Sequence, residues 1–225
     1  MVSTGLEQLD TVLGGDGYPE KSSILVAGPP GVGKEALGYW FTRSGLVVGD
    51  PCLYVTHLAV SEVLEDLKAF RISTDKLPSW IASEGSESKV DMNDLTSISA
   101  TVKESIRKNV VDGKRIRVVT DVLSPLLMLN PPDTIYRFFG QLLADSKKNN
   151  AVFLATIEEG MHQPQVLAAM EQLFDGVLEL RLYEEGPRVE PLFRVRKMRG
   201  LQPRPTYYRY EFSKGKMEMT PYVSK

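Results

Sequence analysis

The sequence predicts an α/β fold, with a mostly parallel central sheet flanked by helices and a C-terminal antiparallel extension. Three observations carry that prediction. Short apolar runs of strand length alternate with helical patterns up to Asp175, which is how a parallel sheet covered by helices reads. The first of these runs leads straight into a glycine-rich stretch that opens a helix. Beyond Asp175, VLELRLYEEG, VEPLFRVRKMRG and TYYRYEFSKGKMEM follow as strand-like runs joined by glycine-containing turns, the pattern of antiparallel neighbours.

In chain order, Ile24-Leu25-Val26-Ala27 is the first buried strand. Ala36, Leu37, Trp40 and Phe41 then recur at helical spacing. Cys52 to Thr56 forms the second strand, and Ser61 is placed to cap a helix carrying Val63, Leu64, Leu67 and Phe70. The polar stretch 83–93 reads as a loop. Leu95, Ile98, Val102 and Ile106 mark the next helix, and RVVTD over 117–121 is a strand ending in an acid. Pro131 and Pro132 precede a helix with Ile135, Phe138, Phe139 and Leu142, and AVFLAT over 151–156 is another buried strand. No internal repeat or linker interrupts the pattern, so one domain is expected over 1–225.

Composition narrows the class further. At 225 residues and a formal net charge of −2, the chain can bury a sizeable core and has no global field drawing it to nucleic acid or membrane. Cys52 is the only cysteine, which excludes an internal disulfide and suits a reducing cytoplasm. The first residues, MVSTGLEQLDTVLGG, are neither an apolar signal nor a charged presequence, and no apolar run is long enough to span a bilayer. A cytoplasmic location with no membrane partner is the expectation.

Residues 28–35 read GPPGVGKE. Gly28, Gly31 and Gly33 let the backbone curl so that N–H groups face phosphate oxygens, with Pro29, Pro30 and Val32 between them. Lys34 adds a positive charge toward β and γ phosphates, and the start of the following helix points unpaired N–H groups at the same place. A metal-holding acid is expected to end a neighbouring strand at this sheet edge, and Asp121 does so; the alternative is an acid that caps a turn. No guanine-reading motif of the Asn-Lys-x-Asp kind occurs, and no Cys/His cluster suggests zinc.

STGLEQLDTVLGGDGYP, GPPGVGKE, CLYVT, RVVTDVLSPLL and RVRKMRG together resemble the single-domain KaiC-like ATPases of the RecA superfamily, archaeal RadA paralogues among them. The resemblance covers nearly the whole chain, and the opening segment and KMRG are its more specific parts. It implies a RecA-like P-loop core, ATP or ADP held by residues 28–34, Mg²⁺ served by Asp121, and a homo-oligomer, often a hexameric ring, with nucleotide at subunit interfaces. It also implies that Lys197 and Arg199 reach the γ-phosphate of the neighbouring subunit. Residues two apart on a strand face the same way, so the two could project together; read without the family, they are a basic edge that discourages aggregation.

Two departures bear on the chemistry. Such loops end in Lys-Ser or Lys-Thr, whose hydroxyl holds Mg²⁺, and here the position is Glu35. A carboxylate is a hard oxygen ligand, but it brings negative charge toward phosphates. A first-turn glutamate is also comfortable at a helix start without any metal. The family's second strand runs into a pair of glutamates that orient the attacking water, whereas this chain reads His57-Leu58-Ala59. Losing a positioned base removes about 10²- to 10⁴-fold in rate. His57 and Glu158 are weak substitutes, Glu159 stands beside the latter, and Glu62 and Glu65 read as an exposed helix face.

The expectation is therefore a nucleotide-binding protein with weak or lost hydrolysis, in a regulatory or accessory oligomer whose output passes through a protein partner. Two alternatives stay open. One is an active ATPase using Glu35 on the metal and His57 or Glu158 toward water. The other is a DNA-binding accessory factor using Arg194, Arg196, Arg204, Tyr207, Tyr208 and Arg209, a set that two strands of alternating charge would also produce.

Overall fold

The computed structural model describes residues 1–72, 81–83, 90–109, 114–213 and 216–223. Part of the expected 83–93 loop, residues 84–89, lies outside them, as do residues 214–215 of the last turn. The elements in order are α1 (Glu7–Val12), β1 (Ser23–Gly28), α2 (Lys34–Val48), β2 (Cys52–Val55), α3 (Val60–Ala69), β3 (Ile81–Ala82), α4 (Leu95–Lys108) and β4 (Ile116–Thr120). They continue as α5 (Leu123–Leu129), α6 (Pro132–Lys148), β5 (Ala151–Glu158), α7 (Pro164–Leu173), β6 (Gly176–Glu185), β7 (Arg188–Met198), β8 (Tyr208–Ser213) and β9 (Lys216–Pro221).

The nine strands of the described residues join one sheet in the order β3-β2-β4-β5-β1-β6-β7-β8-β9. Pairing is parallel from β3 through β6 and antiparallel from β6 through β9. The fold is thus the expected α/β class, with the antiparallel part at the C-terminus. β1 shows why its sequence is unbroken apolar. Ile24 and Val26 enter one core layer, under α1, α2 and α3, while Leu25 and Ala27 enter the other, under α4 to α7. A strand covered on both faces has no polar side to display.

Local chemistry sets the helix ends. Gly33 and Gly49 bracket α2 in left-handed conformations, and Gly49 N–H returns to Leu46 O. α6 begins with Pro132 at its first turn and Asp133 beside it, and ends in Lys147 and Lys148, matching the helix dipole at both ends. Asp94 caps α4 by accepting from Thr96 N–H at 2.8 Å. The cap of α3 differs from expectation. Ser61 lies inside the helix; Ala59 is the cap, and its N–H donates to Glu62 Oε2 at 2.7 Å, the backward half of a capping box.

β4 carries a cation that its apolar neighbours conceal. Arg117, 3% exposed, pairs with buried Asp50 at 3.0 Å and donates to Ser3 O, Phe41 O and Ser44 Oγ. It ties the N-terminal segment, α2 and β4 together. Among the described residues, no helix is long and apolar enough to cross a membrane.

Candidate functional site

The phosphate-loop residues lie at the C-terminal mouth of β1, where a parallel sheet binds ligands. β1 ends at Gly28, whose bare Cα lets the β6 backbone at Leu180 O approach. Pro29 is partly covered, Pro30 and Gly31 are exposed, and Val32 is buried in the core. Gly31 and Gly33 hold φ of 79° and 81°, which bends the chain into α2. α2 starts at this bend, where first-turn N–H groups lack the usual partner four residues back; the N–H of Ala36 donates to Gly33 O at 3.2 Å.

Lys34 has no exposed surface. Its Nζ donates to Pro29 O at 2.8 Å and to Glu158 Oε2 at 2.9 Å. Glu158 reaches it because β5, not β4, is the immediate neighbour of β1, and the register sets Glu158 against Gly28. Glu35 is about a third exposed, with Oε1 3.8 Å from Lys34 Nζ. It faces the lysine rather than open solvent. Two carboxylates therefore lie within 4 Å of one ammonium.

Asp121 follows the end of β4, one strand further from β1 than the sequence suggested. Its Oδ2 accepts from Thr56 Oγ1 at 2.7 Å. Oδ1 is buried without a hydrogen bond and lies 3.3 Å from His57 Nδ1, a charge contact. That contact comes first in holding the His57 imidazole above its ordinary pKa, with Glu62 and Glu35 adding to it. His57 is half exposed, Leu58 partly buried and Ala59 exposed. Burial, and then nearby carboxylates that include Asp121 and Glu35, push the Tyr39 and Tyr54 phenols far above their usual range.

For Mg²⁺, the buried Oδ1 of Asp121 suits a metal's water shell. Position 35 offers a carboxylate where a hydroxyl is usual. Among the described residues, no group of three His, Cys, Asp or Glu could hold an ion unaided. The donor set fits a metal that arrives with phosphates, the usual way Mg²⁺ is held.

Lys197 and Arg199 lie at the other end of the sheet. Lys197 pairs with Val177, and Gly176 pairs with both Met198 and Ile24, so they stand near the start of β1. At about 3.3 Å per residue, that is roughly 13 Å below Gly28. Lys197 Nζ donates to Glu171 O at 2.7 Å, and Arg199 Nη1 pairs with Asp175 Oδ1 at 2.8 Å. Burial, with Arg199 beside it, lowers the Lys197 pKa.

The basic aromatic stretch is matched internally. Arg194 bonds Glu179, Arg196 bonds Glu171 at 2.7 Å, and Arg209 makes two 2.7 Å bonds to Glu190. The guanidinium groups of Arg181 and Arg194 both lie against the Tyr207 ring, 4.2 and 4.7 Å from its centroid, and Tyr208 and Arg204 line a cavity beside α1. Glu159 sits 3.7 Å from Arg196, its pKa raised by burial and then by Glu179.

Sequence reasoning missed the residues that brace the loop. Tyr210 Oη donates to Val32 O at 2.7 Å, and the Phe212 ring lies against Gly33. Phe212 stacks on Trp40 and meets Phe70 edge-on. The alternation of TYYRYEF was a signal that these face inward, but not what they would meet.

A family model described as "ATPase: KaiC" matches residues 2–223. The chain is 27% identical over 210 residues to the circadian clock protein KaiC2 of Synechocystis, covering 89% of this chain and 35% of that protein. It thus spans about a third of that relative's length. A UPF0273 protein of Pyrococcus horikoshii is 27% identical over 217 residues, covering 88% of this chain and 85% of the relative. The DNA repair protein RadA of Rickettsia typhi is 30% identical over 194 residues, covering 82% and 39%. The crystal structure of a KaiC-like protein from Pyrococcus horikoshii matches with a TM-score of 0.83 at 19% identity, with 98% of each chain covered.

Proposed function

The chain belongs to the KaiC ATPase family, and from that premise we propose that it binds ATP or ADP on residues 28–34 with weak or no hydrolysis. The observation that carries binding is Lys34, fully buried at a strand-to-helix bend beside two left-handed glycines. Loss of hydrolysis rests on what stands around it. Glu35 replaces the metal-holding hydroxyl, and Leu58 and Ala59 replace the water-orienting acids that the resemblance implies.

Bound nucleotide then stabilises the fold or its assembly without turnover. Ligand at 100 times its dissociation constant adds about 2.7 kcal/mol. The opposite placement of Lys197 and Arg199 supports an oligomer, a ring among the options, with nucleotide between subunits. Cations at the start of β1 cannot serve the loop at its end, but they can serve a neighbour's. In this reading the protein is regulatory or accessory and acts through a protein partner.

A second reading, an ATPase with an unorthodox site, has one observation in its favour. His57 touches Asp121 at 3.3 Å and keeps half its surface open to a water. Calorimetric titration with ATP and ADP, with and without Mg²⁺, tests binding, and absence of heat at millimolar nucleotide ends it. Sustained phosphate release at steady state would favour the second reading over the first.

A further inference from the structure

Glu158 holds a place that the sequence alone does not assign. It ends β5 opposite Gly28, at the mouth of the phosphate loop. Its backbone is fixed there, because Glu158 N–H donates to Ser124 Oγ at 2.8 Å. Its carboxylate occupies the Lys34 ammonium at 2.9 Å, and Pro29 O takes a second of the three ammonium hydrogens. Glu35 stands 3.8 Å from the same nitrogen. A phosphate oxygen approaching Lys34 meets this negative charge first.

We propose that Glu158 is an internal competitor for phosphate: its carboxylate must leave Lys34 before a nucleotide's β- or γ-phosphate can take that ammonium. The inference rests on the nucleotide-binding reading above and adds a control to it. Glu158 has somewhere to go, since its side chain is 23% exposed while Lys34 is not exposed at all. Rotation about side-chain bonds suffices, with β5 and its register unchanged. The competition depends on phosphate chain length. A diphosphate or triphosphate reaches Lys34 and must displace the carboxylate. A monophosphate is held by loop amides and the helix start and leaves the ion pair in place.

Glu158→Gln keeps the shape and an acceptor oxygen but removes the charge. Calorimetry of the full chain with AMP, ADP and ATP tests the idea. ADP and ATP should bind the variant about tenfold or more tightly than the wild type, with AMP unchanged within twofold. The ligand-induced rise in Tm should grow in parallel for ADP and not for AMP. Glu158→Ala, run alongside, carries the same expectation should the amide variant melt without cooperativity. Equal ADP affinity in wild type and variants overturns the competition alone. Weaker ADP binding overturns it in favour of a supporting role for Glu158. No binding of any nucleotide by either protein overturns the nucleotide reading, and this inference with it.

Discussion

Tyr210 Oη donates a 2.7 Å hydrogen bond to the carbonyl of Val32, so a strand near the C-terminus holds the phosphate loop from outside. Burial drives the Tyr210 phenol well above its ordinary pKa, which keeps it a donor at every working pH. Tyr210→Phe retains the ring and leaves Val32 O buried without this partner. Such an orphaned acceptor costs about 1–3 kcal/mol. Urea denaturation should show a loss of that size with an unchanged slope. Nucleotide affinity should fall with it, because the loop's curvature is no longer fixed at Val32.

Phe212 makes a second brace, and two glycines of the same loop separate its effect from backbone strain. Gly31 and Gly33 have nearly the same φ, 79° and 81°. A Cβ at Gly31 meets nothing within 4 Å, whereas one at Gly33 overlaps the Phe212 ring. Either alanine adopts a left-handed conformation costing about 1–2 kcal/mol. Gly33→Ala must also push Phe212 off Trp40, Phe70 and Tyr210, its ring neighbours at 5.4–5.6 Å. Thermal melting should therefore find Gly33→Ala clearly less stable than Gly31→Ala. Adding Phe212→Ala should narrow the gap if the ring is the cause.

What the sequence showed and what it hid follow from range. β1, β2, β4 and β5 are covered on both faces, so each reads as an apolar run, broken in β4 only by the buried Arg117, and α4 and α6 repeat their apolar stripes over several turns. α5 was not legible because LSPLLML buries Leu123, Leu126 and Leu127 and exposes Met128 and Leu129, leaving no polar face to set a period. The two-residue β3 and the six-residue α1 are too short to carry a pattern, and α7 fully buries only Met170, so no apolar stripe stands out. At the site, the loop is a local backbone motif and was legible. The partner of Lys34 is 124 residues away, and it depends on β5 lying between β1 and β4. Strand order of that kind is written in no local stretch of letters.

Cys52 gives a chemical reporter of the fold. Its Sγ lies 3.5 Å from Thr42 O and 3.4 Å from Asp50 O, and burial pushes the thiol up to about 12, with Arg117 opposing and Asp50 assisting. At pH 8 a free thiol of pKa about 8.5 is roughly a quarter thiolate, whereas one near 12 has about 10⁻⁴. The native protein should thus react with iodoacetamide about three orders of magnitude more slowly than the urea-unfolded chain. The rate should climb with pH well past 9 without a plateau. Fast labelling in native buffer would mean that the start of β2 opens readily around Cys52.

Glu35 is the residue on which binding and catalysis part company. Its carboxylate faces Lys34 at 3.8 Å and adds to the negative field around Tyr39, Tyr54, His57 and Tyr210. Glu35→Thr removes that charge and supplies the hydroxyl that such loops use for Mg²⁺. If the glutamate is a lesion in an ATPase site, MgATP should bind about tenfold more tightly, a gain of about 1.4 kcal/mol. EDTA should remove the part of the gain that the new hydroxyl supplies through Mg²⁺ and leave the part that comes from losing the Glu35 charge beside Lys34. Phosphate release should stay low, because Leu58 and Ala59 still offer nothing to orient a water. A variant that instead loses phosphate release relative to wild type would show that Glu35 already serves the metal, and that the site hydrolyses ATP by a route of its own.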